Sequence, residues 1–228
     1  MNIGVIIPAA GRGVRMGGVV AKQYMPLNGM AVIVHSVVNA LNTDGVVSVV
    51  IALAPDDVQC RQALEASDVF DERIHLVEGG DERQFSVQKA LSHPSLNDVD
   101  VILVHDAVRP LATSALFEEV ATQAMEKGAV VPVVAVVDTI KQVEDGKVVR
   151  TVSRADLRRA QTPQGFHNNI IRKAYEVADD VIRRSTDDAS LVEELGQTVY
   201  ICAGEPWNLK LTKPDDFRTA ELHLESVS

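Results

Sequence analysis

The sequence has little of what disulfide-stabilised or nucleic-acid-binding proteins need. Its two cysteines, Cys60 and Cys202, are too few and too far apart for a disulfide framework or a zinc site, so we expect both to be ordinary, partly buried side chains. Positive charge is also scarce, and a formal net charge of −10 argues against nucleic acid or an anionic membrane as the main partner. Any binding of an anionic nucleotide must therefore depend on a local site.

Long apolar runs are missing as well. The longest, at 46–54 and 129–137, are well short of the roughly 20 residues that a membrane-spanning helix needs. The N-terminal apolar stretch follows no basic leader and soon runs into glycine and arginine, which is typical of a strand and not of a signal peptide. We therefore expect a cytoplasmic protein without a membrane partner, in which residues 1–228 form a single domain.

Short β-branched runs alternate with helical patterns along most of the chain. Runs at 3–7, 46–53, 74–77, 99–104 and 129–136 predict strands, and apolar residues at helical spacing between them predict crossover helices. Because the strands are apolar on both faces, they predict an α/β fold with a mainly parallel, Rossmann-like sheet covered by helices on both faces. Ligands of such sheets bind beyond the carboxyl ends of the strands, so the loops after residues 7, 77 and 104 should meet at one site.

The segment 138–162, called the arm below, interrupts this alternation. It is polar, and Glu144-Asp145-Gly146-Lys147 is typical of a turn between two strands at 139–143 and 148–152. A lone two-stranded hairpin is barely stable in water, so the protruding arm either packs against a second subunit or is a mobile surface hairpin. After it, the pattern predicts a helix over 169–184, a short helix following Thr186, a strand at 199–202 and a last helix that begins near Thr212.

The most informative segment follows the first strand. Small residues at 9–11 and Gly13 leave backbone N–H groups open to an incoming anion, and Arg12, Arg15 and Lys22 bring three cations to the same loop. An ordinary tight turn would not need those cations. The combination therefore predicts a polyphosphate site.

Two familiar phosphate loops do not fit this segment. A Walker A motif needs Lys and then Ser or Thr directly after its last glycine, whereas Val19 and Val20 follow Gly18. A dinucleotide fingerprint needs a helix that begins at its third glycine, whereas Pro26 and Asn28-Gly29 keep the chain irregular as far as Met30. The segment therefore argues against an NAD enzyme.

Six further motifs follow in order along the chain. They are Gly79-Gly80-Asp81-Glu82-Arg83, His105-Asp106-Ala107-Val108-Arg109-Pro110, Asp138-Thr139-Ile140-Lys141, Thr162-Pro163-Gln164-Gly165-Phe166, Thr186-Asp187-Asp188-Ala189-Ser190 and Lys210-Leu211-Thr212. Together with the segment 8–24, they resemble the sugar-phosphate nucleotidyltransferases, and among these the family of 2-C-methyl-D-erythritol 4-phosphate cytidylyltransferases of the non-mevalonate isoprenoid pathway. The match spans nearly the whole chain. One departure is Ala21, where the family usually has proline.

The resemblance implies transfer of a cytidylyl group from CTP to 2-C-methyl-D-erythritol 4-phosphate, with release of pyrophosphate. A phosphate monoester is already ionised near pH 7, which agrees with the lack of a convincing Ser-His-Asp or Cys-His arrangement in the sequence. Two alternatives stay open: another polyol phosphate, such as ribitol 5-phosphate, as the acceptor, and a non-catalytic nucleotide-binding module. Cations for both substrates argue against the module, because a binding protein needs only one set.

The resemblance also implies the site residues. The catalytic cations would be Arg15, Lys22, Arg154 and Lys210, which stabilise charge on the reacting phosphates. The nucleotide would be bound by Pro8, Ala9, Ala10, Gly11, Gly13, Gly80, Asp81, Ser86 and Ala107. The acceptor would be bound by Asp106, Arg109, Thr139, Arg154, Thr162, Thr186 and Lys210. In the family, the arm embraces a partner subunit, so Thr139 and Arg154 would act across a homodimer.

Three of these residues have simpler structural interpretations. Asp106 follows a buried strand and is the predicted ligand of Mg²⁺ or another divalent cation, but an aspartate there can also cap a turn. Ser86 falls in a predicted helix over 82–91, where a surface serine is the simpler interpretation. Thr186, directly before Asp187-Asp188, is also expected to be a helix N-cap.

Overall fold

The structure, a computed structural model, describes residues 1–11, 20–69, 71–177 and 179–227. The predicted site residues Gly13 and Arg15, together with Arg12, lie outside the described residues. Within those ranges, no helix combines the length and the apolar composition that crossing a bilayer requires.

In the described ranges, strands and helices alternate as the sequence indicates. The strands are β1 (Ile3–Pro8), β2 (Pro26–Leu27), β3 (Met30–Ala31), β4 (Val46–Leu53), β5 (Ile74–Glu78), β6 (Val101–Val104), β7 (Ala129–Ala135), β8 (Ile140–Glu144), β9 (Lys147–Val152), β10 (Arg158–Ala160), β11 (Gln164–His167) and β12 (Tyr200–Ala203). The α-helices are α1 (Val32–Leu41), α2 (Gln59–Ala66), α3 (Arg83–Leu91), α4 (Ser114–Lys127), α5 (Asn168–Ala174), α6 (Asp179–Arg184), α7 (Asp188–Glu194) and α8 (Pro214–Val227). Short 3-10 helices cover Lys22–Tyr24 and Pro94–Leu96.

The central sheet has eight strands, in the order β10-β7-β11-β6-β1-β4-β5 with β12 also paired to β7. Strand β1 runs parallel to β4 and β6, β5 runs parallel to β4, and β12 runs parallel to β7. The predicted mainly parallel sheet is thus confirmed. Strands β10 and β11, which the sequence pattern did not predict, are antiparallel to their neighbours. They are short, and Phe166 is the single strand-favouring residue among their seven, so the strand signal is weak.

Each face of the sheet is covered by its own group of helices. Helices α1, α2 and α4 contribute to one buried apolar cluster, and α3, α5, α6 and α7 contribute to the other. Along β1, Val5 and Ile7 belong to the first cluster and Ile6 to the second, and all three are fully buried. Burial of both faces explains why the strand sequences are apolar throughout.

The predicted helix over 169–184 is instead two helices, α5 and α6. Tyr175 is the C-cap of α5, and α6 begins again at Asp179. Asp179 and Asp180 lie in the first turn of α6, where carboxylates favour a helix start because they interact well with its exposed N–H groups. Ala174 and Ile182, from the predicted apolar face, still pack into the same cluster.

Strands β8 and β9 pair with each other in a two-stranded sheet apart from the central one. Asp145 and Gly146 at their turn have φ values of +48° and +75°, as the tight turn of a hairpin requires. Three apolar side chains of the hairpin stay exposed, at 63% for Val143, 60% for Val148 and 53% for Val149. The hairpin therefore presents an uncovered apolar surface.

Candidate active site

A cleft of about 470 Å³ opens beyond the carboxyl ends of the central strands. Its lining comes from residues 8–11 after β1, residues 80–83 and Ser86 after β5, and residues 106–108 after β6. Lys22 and Gln23 complete one side, and Lys210 and Thr212 the other. The prediction that the three loops meet is thereby confirmed.

One side of the cleft has almost no side chains near the backbone. A Cβ on Gly79 would lie 2.7 Å from Cβ of Ala10 and 2.8 Å from Oγ of Ser86. A Cβ on Gly80 would lie 2.4 Å from Cβ of Phe85. Neither position has room for a side chain, so the backbone itself forms this wall. This side, made of residues 8–11, residues 79–81 and Ser86, is called the nucleotide half below, after its predicted ligand.

Ser86 holds the glycine turn in place. Its side chain is buried, its Oγ accepts a hydrogen bond from the backbone N–H of Gly80 at 3.1 Å, and it donates to the carbonyl of Glu82 at 3.1 Å. The interpretation of Ser86 as a surface serine is therefore wrong. The spacing of Val87, Ala90 and Leu91 puts Ser86 on the same buried face of α3, so the polar type of the residue, and not the periodicity, led to the surface interpretation.

The side chain of Gln23 holds the loop after β1 in place. Its buried side-chain amide donates from Nε2 to the carbonyl of Ala9 at 2.9 Å and to that of Gly11 at 3.0 Å. Tyr24, next in the chain, donates to Asp57 at 2.7 Å, which ties the same turn to the loop after β4. The sequence singled out only the neighbouring Lys22, which lines the cleft.

Asp106 is the centre of the opposite side, called the acceptor half below. Its Oδ1 accepts from Nε of Arg83 at 2.9 Å, its Oδ2 pairs with Nζ of Lys210 at 2.8 Å, and Nε of Arg109 lies 3.8 Å from Oδ2. Burial alone would raise the pKa of the Asp106 carboxyl, but Arg83, Lys210 and Arg109 hold that pKa well below its usual range. Asp106 is therefore an ionised carboxylate surrounded by cations.

Arg109 and Thr162, both predicted to bind the acceptor, lie behind Asp106 instead of in the cleft lining that the described residues form. Nη1 of Arg109 donates to the carbonyl of Asn208 at 2.8 Å. Oγ1 of Thr162 accepts from the backbone N–H of Asp106 at 3.0 Å. In this arrangement both residues support Asp106, and neither belongs to the lining of this cleft.

His105 lies fully buried under the acceptor half. Its Nδ1 is 3.2 Å from Oγ1 of Thr162, its Nε2 is 3.2 Å from the carbonyl of Arg109, and its ring packs 4.8 Å from that of Phe117. Burial lowers the pKa of His105 to about 4, so the imidazole is neutral at pH 7. It is a packing and hydrogen-bonding support and not a proton carrier at that pH.

Besides Arg109 and Thr162, three further predicted residues lie outside the cleft lining in the described chain: Thr139, Arg154 and Thr186 are all exposed. The guanidinium of Arg154 donates to the carbonyl of Val137, at the base of the arm. The prediction that Thr186 caps a helix is wrong, because Asp187 is the N-cap of α7 and accepts from the N–H of Ser190 at 3.0 Å.

Arg83 is the central residue that the sequence did not reveal. It lines the cleft, pairs with Asp106, and donates from Nη2 to Asp188 at 2.7 Å. Arg83 is the first residue of α3, which begins at the ligand-binding edge of the sheet, and this position could have indicated that it lies near the site. Its partners were not predictable, because Asp188 lies 105 residues further along the chain.

The described residues offer no ready-made metal centre: no three His, Cys, Asp or Glu side chains among them gather around one point. Asp106, the predicted ligand, already has one oxygen on Arg83 and the other on Lys210. A divalent cation would have to displace one of these cations and would be repelled by the rest. Direct ligation by Asp106 therefore does not fit this arrangement.

Comparison with known proteins adds the decisive observation. A family model described as "IspD: 2-C-methyl-D-erythritol 4-phosphate cytidylyltransferase" matches residues 3–226. The chain belongs to the 2-C-methyl-D-erythritol 4-phosphate cytidylyltransferase family. This confirms the family that the sequence motifs indicated, and it makes the chain a nucleotidyltransferase.

Individual members of the cytidylyltransferase family match over nearly their whole length. The protein of that name from Bacillus pumilus is 39% identical to this chain, over 97% of the chain and 96% of the relative. The crystal structure of the Thermus thermophilus member has a TM-score of 0.81 at 30% identity, over 99% of this chain and 100% of that one. A solved 4-diphosphocytidyl-2C-methyl-D-erythritol synthase has a TM-score of 0.82 at 29% identity, over 98% of each chain.

Proposed function

We propose that this chain transfers the cytidylyl group of CTP to 2-C-methyl-D-erythritol 4-phosphate, giving 4-diphosphocytidyl-2-C-methyl-D-erythritol and pyrophosphate. The names of its relatives state the acceptor and the transferred group, and the name of one structural neighbour states the product. The observation that carries the proposal is one cleft that joins two walls of different chemistry. Loops with little side chain, suited to a nucleotide, adjoin the pair of Asp106 and Lys210, suited to an acceptor phosphate.

The reaction needs positioning and charge neutralisation more than proton transfer. An oxygen of the acceptor phosphate attacks the α-phosphorus of CTP, and the bond from that phosphorus to the oxygen bridging the α- and β-phosphates breaks, so pyrophosphate leaves with the bonding electrons. A phosphate monoester has its second pKa near 6, so at neutral pH its oxygen is ionised without a catalytic base. Lys22 and Lys210 in the cleft lining suit this chemistry, because they can hold two anions together.

In the nucleotide half, we assign binding to backbone groups and catalysis to cations. Residues 8–11, Gly13 and Ala107 would cradle the triphosphate, with Lys22 and Arg15 at the reacting phosphate. Gly80, Asp81 and Ser86 would hold the ribose and the base. Since cytosine presents an amino donor where uracil presents an acceptor, a backbone carbonyl beside Gly80 would favour CTP over UTP.

In the acceptor half, we assign the phosphate to Lys210 and Asp106 to the orientation of that ammonium. Arg109 and Thr162 keep a supporting role, because both contact or flank Asp106 from behind. Thr186 is exposed and retains its assignment to the acceptor only as a proposal from the family motif.

A divalent cation, Mg²⁺, accompanies the nucleotide in this proposal. When bound, it supplies charge neutralisation on the phosphates and takes its ligands mainly from phosphate oxygens and water. The predicted ligand role of Asp106 is not retained, because its two oxygens already pair with Arg83 and Lys210.

We also propose a homodimer in which the arm of one subunit completes the cleft of the other. The exposed valines of the hairpin support this, because an uncovered apolar surface favours a partner. Thr139 and Arg154 support it further, because both are exposed and neither is part of the cleft lining of its own chain as described.

Pyrophosphate release tests the activity. Magnesium and CTP are supplied with either 2-C-methyl-D-erythritol 4-phosphate or ribitol 5-phosphate, and UTP, GTP and ATP replace CTP as controls. We expect release with methylerythritol phosphate and CTP alone. Release with ribitol phosphate alone would overturn the acceptor, and no release with either would overturn the catalytic assignment.

Subunit mixing tests the arm. If Arg154 acts across the dimer, an equal mixture of the Arg154→Ala and Lys210→Ala variants regains about a quarter of wild-type activity, because half the dimers are mixed and each has one intact site. If Arg154 acts within its own chain, no intact site forms. Arg154→Ala alone should lower turnover and barely change CTP affinity, and equal loss of CTP affinity would contradict its assignment. Arg158→Ala, another exposed arginine of the arm, is the matched control.

A further inference from the structure

Arg83 joins two buried carboxylates that come from distant parts of the chain. Its Nε donates to Oδ1 of Asp106 at 2.9 Å, and its Nη2 donates to Oδ2 of Asp188 at 2.7 Å. Asp188 is 0% exposed, and its other oxygen accepts from the hydroxyl of Tyr175 at 2.6 Å. A continuous line of hydrogen bonds thus runs from Tyr175 in the protein interior to Asp106 at the cleft.

The inner end of this line is built to stay fixed. A buried carboxylate is tolerated when it is paired with a cation and hydrogen-bonded, and both oxygens of Asp188 are satisfied in this way. Burial, reinforced by the negative charge of Asp188, raises the pKa of Tyr175 well above its ordinary value, so its hydroxyl keeps its proton and remains a donor. Arg83 is therefore held from behind by a rigid, charged anchor.

The outer end of the line is Lys210. Oδ2 of Asp106 lies 2.8 Å from Nζ of Lys210, whose side chain is 44% exposed in the cleft. Because Arg83 holds Oδ1, the carboxylate presents Oδ2 to the cleft. Without Arg83, the carboxylate would be free to turn toward Arg109, whose Nε is 3.8 Å from Oδ2. Arg83 thus sets where the Lys210 ammonium stands.

The third nitrogen of the Arg83 guanidinium, Nη1, makes no hydrogen bond in this arrangement. It is buried and has no hydrogen-bond partner among the described residues. Buried donors are nearly always satisfied in proteins, so packing alone does not explain this orientation. The orientation of Arg83 is explained if the site requires its hydrogen bonds to Asp106 and Asp188 to point in these two directions.

We propose that Arg83 is a positioning residue that, anchored by Asp188 and Tyr175, orients Asp106 and through it directs the Lys210 ammonium at the acceptor phosphate. This inference rests on the proposed function, because it needs an acceptor phosphate beside Lys210. It assigns a role to three residues that do not react.

Steady-state kinetics of Asp188→Asn and Tyr175→Phe test the proposal, because both changes keep the shape of the side chain. Asp188→Asn removes the anchoring charge, so KM for 2-C-methyl-D-erythritol 4-phosphate should rise about tenfold, as for a weakened buried charge pair, while KM for CTP changes less than about twofold. Tyr175→Phe removes one hydrogen bond and should raise the acceptor KM by about threefold. Arg83→Lys keeps one charge but cannot reach both carboxylates, so it should resemble Asp188→Asn.

A double-mutant cycle separates positioning from general loosening. If the line acts through Lys210, Asp188→Asn should have little further effect on the acceptor KM in the Lys210→Met background, so the two changes are strongly non-additive. Additive effects would overturn the route through Lys210.

Arg73→Lys is the matched control, because Arg73 pairs with Asp71 at 2.7 Å, donates to two backbone carbonyls, and is not part of the cleft lining. It should lower the melting temperature without separating the two KM values. If Asp188→Asn behaves in the same way, the inference is overturned while the function stands. If the wild type turns over no acceptor with CTP, the proposed function is overturned and the inference with it.

Discussion

The two halves of the cleft present different groups to a ligand. In the nucleotide half these groups belong mostly to the backbone of residues 8–11 and of Gly79-Gly80, and neither Gly79 nor Gly80 has room for a side chain. In the acceptor half they are charged side chains, and each is held in place by another charged side chain. The first half is therefore fixed by the fold, whereas the second depends on single residues.

The difference follows from what each half must do when empty. Backbone donors at the end of a strand are oriented by the sheet, so they need no further charge to hold them. The acceptor half collects the cations Arg83, Arg109 and Lys210 around the carboxylates Asp106 and Asp188, which leaves one positive charge in excess. That excess would favour the proposed acceptor phosphate without leaving the empty site strongly self-repulsive.

Removing the charge of Lys210 should show most clearly that the two halves serve different substrates. Lys210→Met should lower kcat/KM for the acceptor by roughly 10²- to 10³-fold, because it removes a cation that the proposed transition state needs. CTP affinity, measured by calorimetry, should stay within about threefold, since in the proposal the nucleotide is bound by residues other than Lys210. Lys213→Met, an exposed neighbour outside the cleft lining, is the control. A parallel loss of CTP affinity would contradict the division of the cleft.

Adding one methyl group at Gly79 should weaken CTP binding and leave acceptor binding nearly unchanged. In Gly79→Ala the new Cβ would press on Ala10 at 2.7 Å and Ser86 at 2.8 Å, so the nucleotide wall must shift. Overpacking of this kind costs about 1–3 kcal/mol, and we expect CTP affinity to fall roughly tenfold or more while the acceptor KM changes little. The melting temperature checks that the fold survives. A selective loss of acceptor affinity would be inconsistent with this assignment.

The smallest expected effect concerns pH and comes from His105, under the acceptor half. The pKa of His105 is about 4 in the folded protein, against 6.5 for an ordinary histidine, so between these values the unfolded chain binds more protons than the native one. The free energy of unfolding therefore falls as pH falls through this window, by about 1 kcal/mol per pH unit from His105. Urea titrations at pH 6 and pH 5 measure this slope, and it should be smaller in His105→Gln. An unchanged slope would contradict the neutral, buried state of His105.

The sequence predicted the nucleotide half of the cleft better than the acceptor half. The nucleotide half depends on local order, because apolar strands followed by small residues place their loops at one edge of a parallel sheet. Patterns along the chain therefore predicted its loops, although Gly13 and Arg15 lie outside the described residues. The inward direction of Ser86 escaped prediction, although Ser86 lies one turn before Ala90 on the buried face of α3, because its hydrogen-bond partner is in a loop that no periodicity records.

The acceptor half depends on pairs that no local pattern records. Asp106 and Lys210 were identified by their motifs, but the bond from Arg83 to Asp188 spans 105 residues and leaves no periodicity in the sequence. The supporting positions of Arg109 and Thr162 escaped prediction for the same reason. Packing in three dimensions decides whether a motif residue contacts a ligand or supports another residue that does.

The bond between Arg83 and Asp188 also bears on the order in which the site matures during synthesis. The loops of the nucleotide half all leave the ribosome by residue 86, whereas Asp188 and Lys210 emerge far later. Contacts between distant residues form late, because a long loop must close before they can. A nascent chain therefore has its nucleotide loops before it has the anchor that fixes Arg83 against Asp106, and competence for transfer is among the last properties it acquires.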